Sequence, residues 1–253
     1  MRSVLRMSLL FLPVILIAPA NRALGPGRMA HLPALTLWAW QMPERLDFID
    51  PAQVGVAYLD QTLLVREDMV AQPRVQPLLV APGTRVMAVV RIEMPAGHGS
   101  QSEEIKSQVV AVLLRSARRP GIDALQVDFD AVKSQRRFYR DVLVRLREQM
   151  PRGMPLSITA LASWCAYDNW IAGLPIDEAV PMLFRMGQER SLFEWKGPAE
   201  AIREPLCSGS LGVSTDEPWP QAIGRRRLYV FHTRPWTRES LAELIGRSKP
   251  YWF

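Results

Sequence analysis

The chain has 253 residues, 48% of them hydrophobic and 22% charged, enough for one large core and close to the size at which an α/β barrel folds as a single domain. Its formal net charge of +6 is modest and scattered; Arg225-Arg226-Arg227 is the one tight basic run, and with no basic patch of stacking aromatics around it no nucleic-acid partner is expected. His31, His98 and His232 lie far apart and there are only 2 cysteines, so neither a metal site nor a cofactor is expected.

In chain order, residues 1–20 read as a signal peptide: Arg2 and Arg6, an apolar run from Met7 to Ile17, then the small-x-small pattern Ala18-Pro19-Ala20. The run is short for a membrane span and Pro13 interrupts it. A periplasmic or secreted protein with no stable span after leader cleavage is therefore expected, an uncleaved anchor being the alternative. Loss of Arg2 and Arg6 from the 31 Lys and Arg leaves 29 against 25 acidic residues, a balance of +4. Residues 21–33, with Gly25-Pro26-Gly27 and Pro33, suggest a flexible lead-in, and 34–253 the folded domain.

Eight strand-like segments follow: Ala34 to Trp40, Val54 to Val65 with a break near Asp60, Arg85 to Glu93, a fourth ending at Asp128 to Asp130, Pro155 to Ser163, Ala179 to Met186, Ser210 to Ser214, and Arg227 to Thr233. The best helical patterns are Ser102 to Arg119, opened by Ser102-Glu103-Glu104 and closed by Pro120-Gly121, and Ser134 to Gln149 with Phe138, Val142 and Leu146 on one stripe. A last helix starts at Thr237 or Arg238. Weaker helical connectors are expected over Pro43 to Pro51, Tyr167 to Gly173, Pro198 to Arg203 and Pro218 to Ile223. Alternating strands and helices at this length predict a single (β/α)8 TIM-type barrel, short of helix after the first, second and seventh strands. No Gly-x-Gly-x-x-Gly or P-loop supports an open nucleotide-binding sheet. Cys165 and Cys207 can pair in an exported chain or remain two buried thiols.

The fourth strand carries the least ordinary pattern. In Gly121-Ile122-Asp123-Ala124-Leu125-Gln126-Val127-Asp128-Phe129-Asp130 the period of two puts Gln126, Asp128 and Asp130 on one face. Carboxylates inside a covered parallel sheet are costly, so they are expected at its C-terminal mouth, where such folds keep their ligands.

The same ten residues resemble the fourth-strand signature of the family 18 chitinase-like glycoside hydrolases, Asp-x-x-Asp-x-Asp-x-Glu, with Asp123, Gln126, Asp128 and Asp130 on its four polar places. Gln126 stands where that family has Asp, and Asp130 where it has the Glu that acts as acid. Pro181-Met182-Leu183-Phe184-Arg185 is similar to its Met-x-Tyr-Asp stretch, with Phe184 for Tyr and Arg185 for Asp. The mature chain as a whole is similar to the uncharacterised exported bacterial family DUF3142, through Leu37-Trp38-Ala39-Trp40, Gln126 to Asp130 and Phe231-His232. These resemblances imply a glycoside hydrolase-like barrel and carry no activity of their own.

Glycoside cleavage needs a carboxylic acid at the leaving oxygen and a second group to stabilise the oxocarbenium centre. Asp130 is the candidate acid, with Asp128 raising its pKa by like-charge repulsion while staying ionised itself; Glu93 or Asp216 is the candidate opposing acid should Asp128 or Asp130 act as nucleophile or base. Arg91 and Arg185 fit a carboxylate or acidic sugar, or equally an ion pair with Asp128 or Glu93. Trp38, Trp40, Trp164 and Trp236 offer faces for sugar rings or ordinary packing, and Gln126, Tyr58, Asp60, Phe184 and His232 complete the expected lining. The partner is a polysaccharide or oligosaccharide of the cell envelope or exterior. The alternatives are a glycan-binding barrel without catalysis and an envelope accessory protein.

Overall fold

A computed structural model describes residues 27–99, 101–187, 190–221 and 223–252; the expected signal peptide lies outside them. Eight parallel strands form a closed ring: β1 (Leu35–Ala39), β3 (Val54–Val65), β6 (Val86–Glu93), β7 (Ala124–Asp128), β8 (Leu156–Leu161), β9 (Glu178–Met182), β10 (Ser210–Ser214) and β11 (Arg227–Phe231). Closure comes from β1, which pairs with β3 on one side and β11 on the other. The chain is thus a (β/α)8 barrel, with every barrel strand where hydrophobic alternation put it.

Helices α1 (Glu103–Ala117), α2 (Arg136–Gln149), α3 (Ala162–Ala166), α4 (Arg190–Ala201) and α5 (Arg238–Trp252) follow β6, β7, β8, β9 and β11. Ser102 caps α1 by accepting a hydrogen bond from Ile105 N–H at 3.2 Å, a contact that stabilises a helix start by about 1 kcal/mol. Leu125, Val127 and Phe129 point outward into the layer shared with α1 and α2, where Val109, Leu113, Phe138 and Val142 meet them. Each such fully buried side chain contributes about 1.5–3 kcal/mol.

Three short strands lie outside the eight of the barrel, and one of them replaces an expected connector. The helix expected over Pro43 to Pro51 is instead β2 (Glu44–Leu46), which pairs in parallel with β5 (Leu78–Val80). β4 (Met69–Pro73) folds back antiparallel on the far end of β3. No helix occupies Pro218 to Ile223 among the described residues. Pro43 and Pro51 flank the β2 segment and Pro218 and Pro220 fall within the other, removing backbone donors that a short helical hydrogen-bond ladder would need. The break expected near Asp60 is a bulge, a register shift between Leu59 and Gln61, which leaves β3 continuous.

The base of the barrel is shut by a short 3-10 turn, Arg28–His31, with Met29 buried. A polar chain runs up the axis from there. Arg227 donates to the carbonyl of Met29 and to Glu178, both at 2.8 Å, and Tyr229 OH donates to Glu178 at 2.7 Å. Ser157 links Glu178 to Gln126, and Gln126 accepts from Trp38 Nε1 at 3.0 Å. Every member is satisfied, as a buried polar group must be to avoid a penalty of about 1–3 kcal/mol.

Candidate active site

Strand register assembles the site. Arg91 on β6 is the lateral partner of Asp128 on β7, and Thr159 lies one residue past the Val127–Ile158 pair on β8. All three side chains point inward at the C-terminal mouth. Asp128 is 7% exposed; Thr159 donates its hydroxyl to Asp128 Oδ1 at 2.6 Å, and Arg91 Nη1 stands 3.7 Å from Oδ2. Asp130, just beyond the strand, keeps an exposed edge.

These residues sit where two hollows meet. A cleft of about 500 Å³ is lined by Trp38, Trp40, Phe184 and Phe231 on one side of Asp128 and Asp130. A second hollow of about 430 Å³ shares Arg91, Asp128 and Asp130 with the first and adds Arg66, Glu93 and Met94. Phe184 and Phe231 stack with ring centres 5.8 Å apart and planes 4° off parallel. The Arg91 guanidinium lies 5.8 Å from the Trp40 ring centre. The floor is the Trp38 ring, which fits because residue 212 is glycine: a Cβ there would meet Trp38 Cη2 at 3.1 Å.

Burial pushes the Asp128 carboxyl up to about 6, aided by the charges of Asp130 and Glu93 and opposed by the Thr159 hydroxyl and Arg91. Asp130 is also raised, by burial among the cleft walls, with Arg91 opposing. This reverses the expectation that Asp128 repels a proton onto Asp130. The lower residue of the pair is the better shielded from water, so its ionised form is penalised more.

Of the residues expected in the lining, the structure brings Trp38, Trp40, Arg91, Asp128, Asp130, Phe184 and Arg185 around the first hollow and Glu93 into the second. Others stand elsewhere. Gln126 is wholly buried below the floor, its amide spent on Trp38 and Ser157. Asp60, at the bulge, turns out of the barrel to accept from Ser116 at 2.6 Å and pair with Arg119. Tyr58 donates to Asp60 at 3.2 Å, and burial lifts its hydroxyl to about 12. Trp164 is 2% exposed and meets Trp170 edge-on at 4.9 Å. Trp236 is buried, with its indole donating to Trp38 O at 3.1 Å and its backbone N–H to Glu44. His232 stacks on Trp236 at 4.7 Å and shares a 2.6 Å hydrogen bond with Thr215; burial lowers its pKa. Asp216 is exposed and taken by the Ser214 hydroxyl, which lowers its pKa. It lines neither hollow, which removes it as the opposing acid.

Thr159, Phe231 and Arg66 were missed. Thr159 was legible in the alternation Ser157-Ile158-Thr159, which puts both hydroxyls on the inner face. Arg66 follows the end of β3 with no local signal. Cys165 and Cys207 form a disulfide with Cα atoms 5.8 Å apart, and among the described residues no helix is long and apolar enough to cross a membrane.

No family model matches the chain, and no curated protein matches it. Among solved structures the chain is similar to a chitinase from Rhizomucor miehei, 12% identical with a TM-score of 0.47 over 72% of this chain and 68% of that one. It is also similar to the spore cortex-lytic enzyme SleL of Bacillus cereus, 15% identical with a TM-score of 0.47 over 71% of this chain and 50% of that one. The chain spans half the length of that second protein.

Proposed function

We propose that this protein is an exported glycoside hydrolase whose cleft binds a glycan across Asp128 and Asp130. The observation that carries the reading is a carboxyl with its pKa at about 6, beside a second carboxylate, at the mouth of the barrel. Asp130, opening onto the cleft, meets the glycosidic oxygen. The proton that Asp128 holds beneath it in mildly acidic solution passes by way of Asp130 to that leaving oxygen, and Asp128, then ionised, stabilises positive charge at the anomeric carbon. Trp40 and the Phe184–Phe231 stack supply apolar faces for the C–H surfaces of sugar rings. Export is supported by the leader pattern of residues 1–20 and by the Cys165–Cys207 bond, which persists in oxidising compartments.

The test is release of reducing ends from a panel of acetylated, deacetylated and neutral polysaccharides by the purified protein, with Asp128→Asn and Asp130→Asn alongside. Loss of release by at least about a hundredfold in both variants, with folding kept, is expected for groups that exchange a proton in the transition state. Unchanged release in Asp130→Asn removes its assignment. One observation favours a second reading, a glycan reader without cleavage: Phe184 puts a bare ring at the wall, with no hydroxyl to orient a reacting group. Binding that quenches tryptophan fluorescence with no release from any polymer selects it.

A further inference from the structure

We infer, on the reading above that the cleft holds a glycan, that its ligand is an anionic chain of carboxylated, uronic acid-type sugars, with guanidinium groups gripping it on both flanks of the acid pair. Three arginines line the two hollows, and they are not equivalent. Arg91 is engaged internally, with Nε 2.9 Å from Glu93 Oε1 and Nη1 facing Asp128. Arg66 and Arg185 have no hydrogen-bonded carboxylate among the described residues. Arg66 follows β3 and lines the second hollow; Arg185 follows β9 and lines the first. In the ring order β3 and β9 stand opposite one another, with β7 between them. Two arginines with no carboxylate partner among the described residues therefore stand one in each of the two hollows that meet at Asp128 and Asp130, on opposite sides of β7.

Arg185 shows that its placement is specific. It is the non-glycine residue with a left-handed backbone among those described, at φ 55°, a conformation that costs about 1–2 kcal/mol outside glycine. Its N–H is held by Glu217 at 3.0 Å, and its guanidinium lies 5.4 Å from the Phe231 ring centre, over the cleft wall. Asp216, whose charge reaches it, is occupied by Ser214. A neutral glycan would gain hydrogen bonds from these guanidinium groups but no ion pairing, and the acidic centre alone would repel a polyanion. A planar fork on each flank offsets that repulsion and matches a carboxylate through two parallel hydrogen bonds.

The experiment measures binding of the full chain to polygalacturonate, to the same polymer with its carboxyls reduced to alcohols, and to neutral chito- and gluco-oligomers, at low salt and at about 0.5 M salt, roughly three times physiological ionic strength. Arg66→Gln, Arg185→Gln and Arg185→Gly run in parallel. Expected is preference for the charged polymer, its loss on carboxyl reduction and at high salt, and about tenfold weaker binding in each Gln variant. Arg185→Gly should lose the same affinity while unfolding at higher urea, which a purely structural arginine would not do. Equal binding of the reduced polymer, or unchanged affinity in both Gln variants, overturns the inference. Release from neutral oligomers alone overturns it too while leaving the hydrolase reading standing; tight, charge-dependent binding without release sinks the hydrolase reading and keeps this one.

Discussion

At the scale of single residues, Asp128 opposes stability to chemistry. Its folded pKa, about 6, lies above the value of about 3.9 for a solvated aspartate, so the folded state binds the proton more tightly. The contribution to stability is intact below about pH 4 and is lost as pH rises through 6, by at most about 3 kcal/mol. Asp128→Asn keeps a partner for Thr159 and cannot ionise. It should therefore gain about 2–3 kcal/mol in urea unfolding at pH 7 and almost nothing at pH 4, while reducing-end release disappears at both. A variant equally stable relative to the parent at the two pH values would show that this carboxyl is not strained in the fold. Gln126 has no such behaviour. It sits in the same inward row with an amide that does not titrate, and its part is to hold the Trp38 ring flat under the cleft.

At the scale of elements, the rim depends on a segment with little pattern of its own. Arg74, just past β4, reaches across to the turn after β1 and donates to the carbonyls of Trp40 and of Met42, the latter at 2.5 Å. Glu44 lies buried nearby, lifted to about 7 by burial and held down by Trp236 N–H and Arg74. Arg74→Met should cost about 2 kcal/mol of stability, push Glu44 further up, and weaken glycan quenching of tryptophan fluorescence by freeing Trp40. Quenching that stays at the parent level would detach this clamp from the site. The same segment explains what could be read in advance. The eight barrel strands were legible because their outward faces alternate in apolar residues. β2 and β5 are three residues long, and β4 is largely exposed and ends in Pro73, so none has enough alternation to register. Asp60 keeps the period of two with Tyr58, and both face out of the barrel, where Tyr58 donates to Asp60 and Ser116 and Arg119 close around it; what the pattern left open was which of the two faces of this strand, polar on both near its end, turns inward. Trp164 and Trp236 follow barrel strands as expected, yet which way a tryptophan turns at a strand end is decided by neighbours distant in sequence: Trp170 for one, Trp38 O and Glu44 for the other.

At the scale of the whole molecule, the absence of a helix after β10 among the described residues leaves that side of the barrel to other devices. The bond between Cys165 on α3 and Cys207 before β10 spans 42 residues, a closure that in chain-entropy terms stabilises by about 4 kcal/mol. It also encloses β9, α4, Phe184 and Arg185, while the acid pair, Trp38, Trp40 and Phe231 lie outside it. The cleft is thus built from a closed loop facing an open chain. A protease that nicks the kinked, glycine-centred part of α4 at Gly197 would sever the backbone without parting the pieces: one band on a gel without reductant, two with it. Two bands without reductant would deny the bond. A nicked, oxidised protein keeps both walls of the cleft, and only the cut and the reductant together let one of them go.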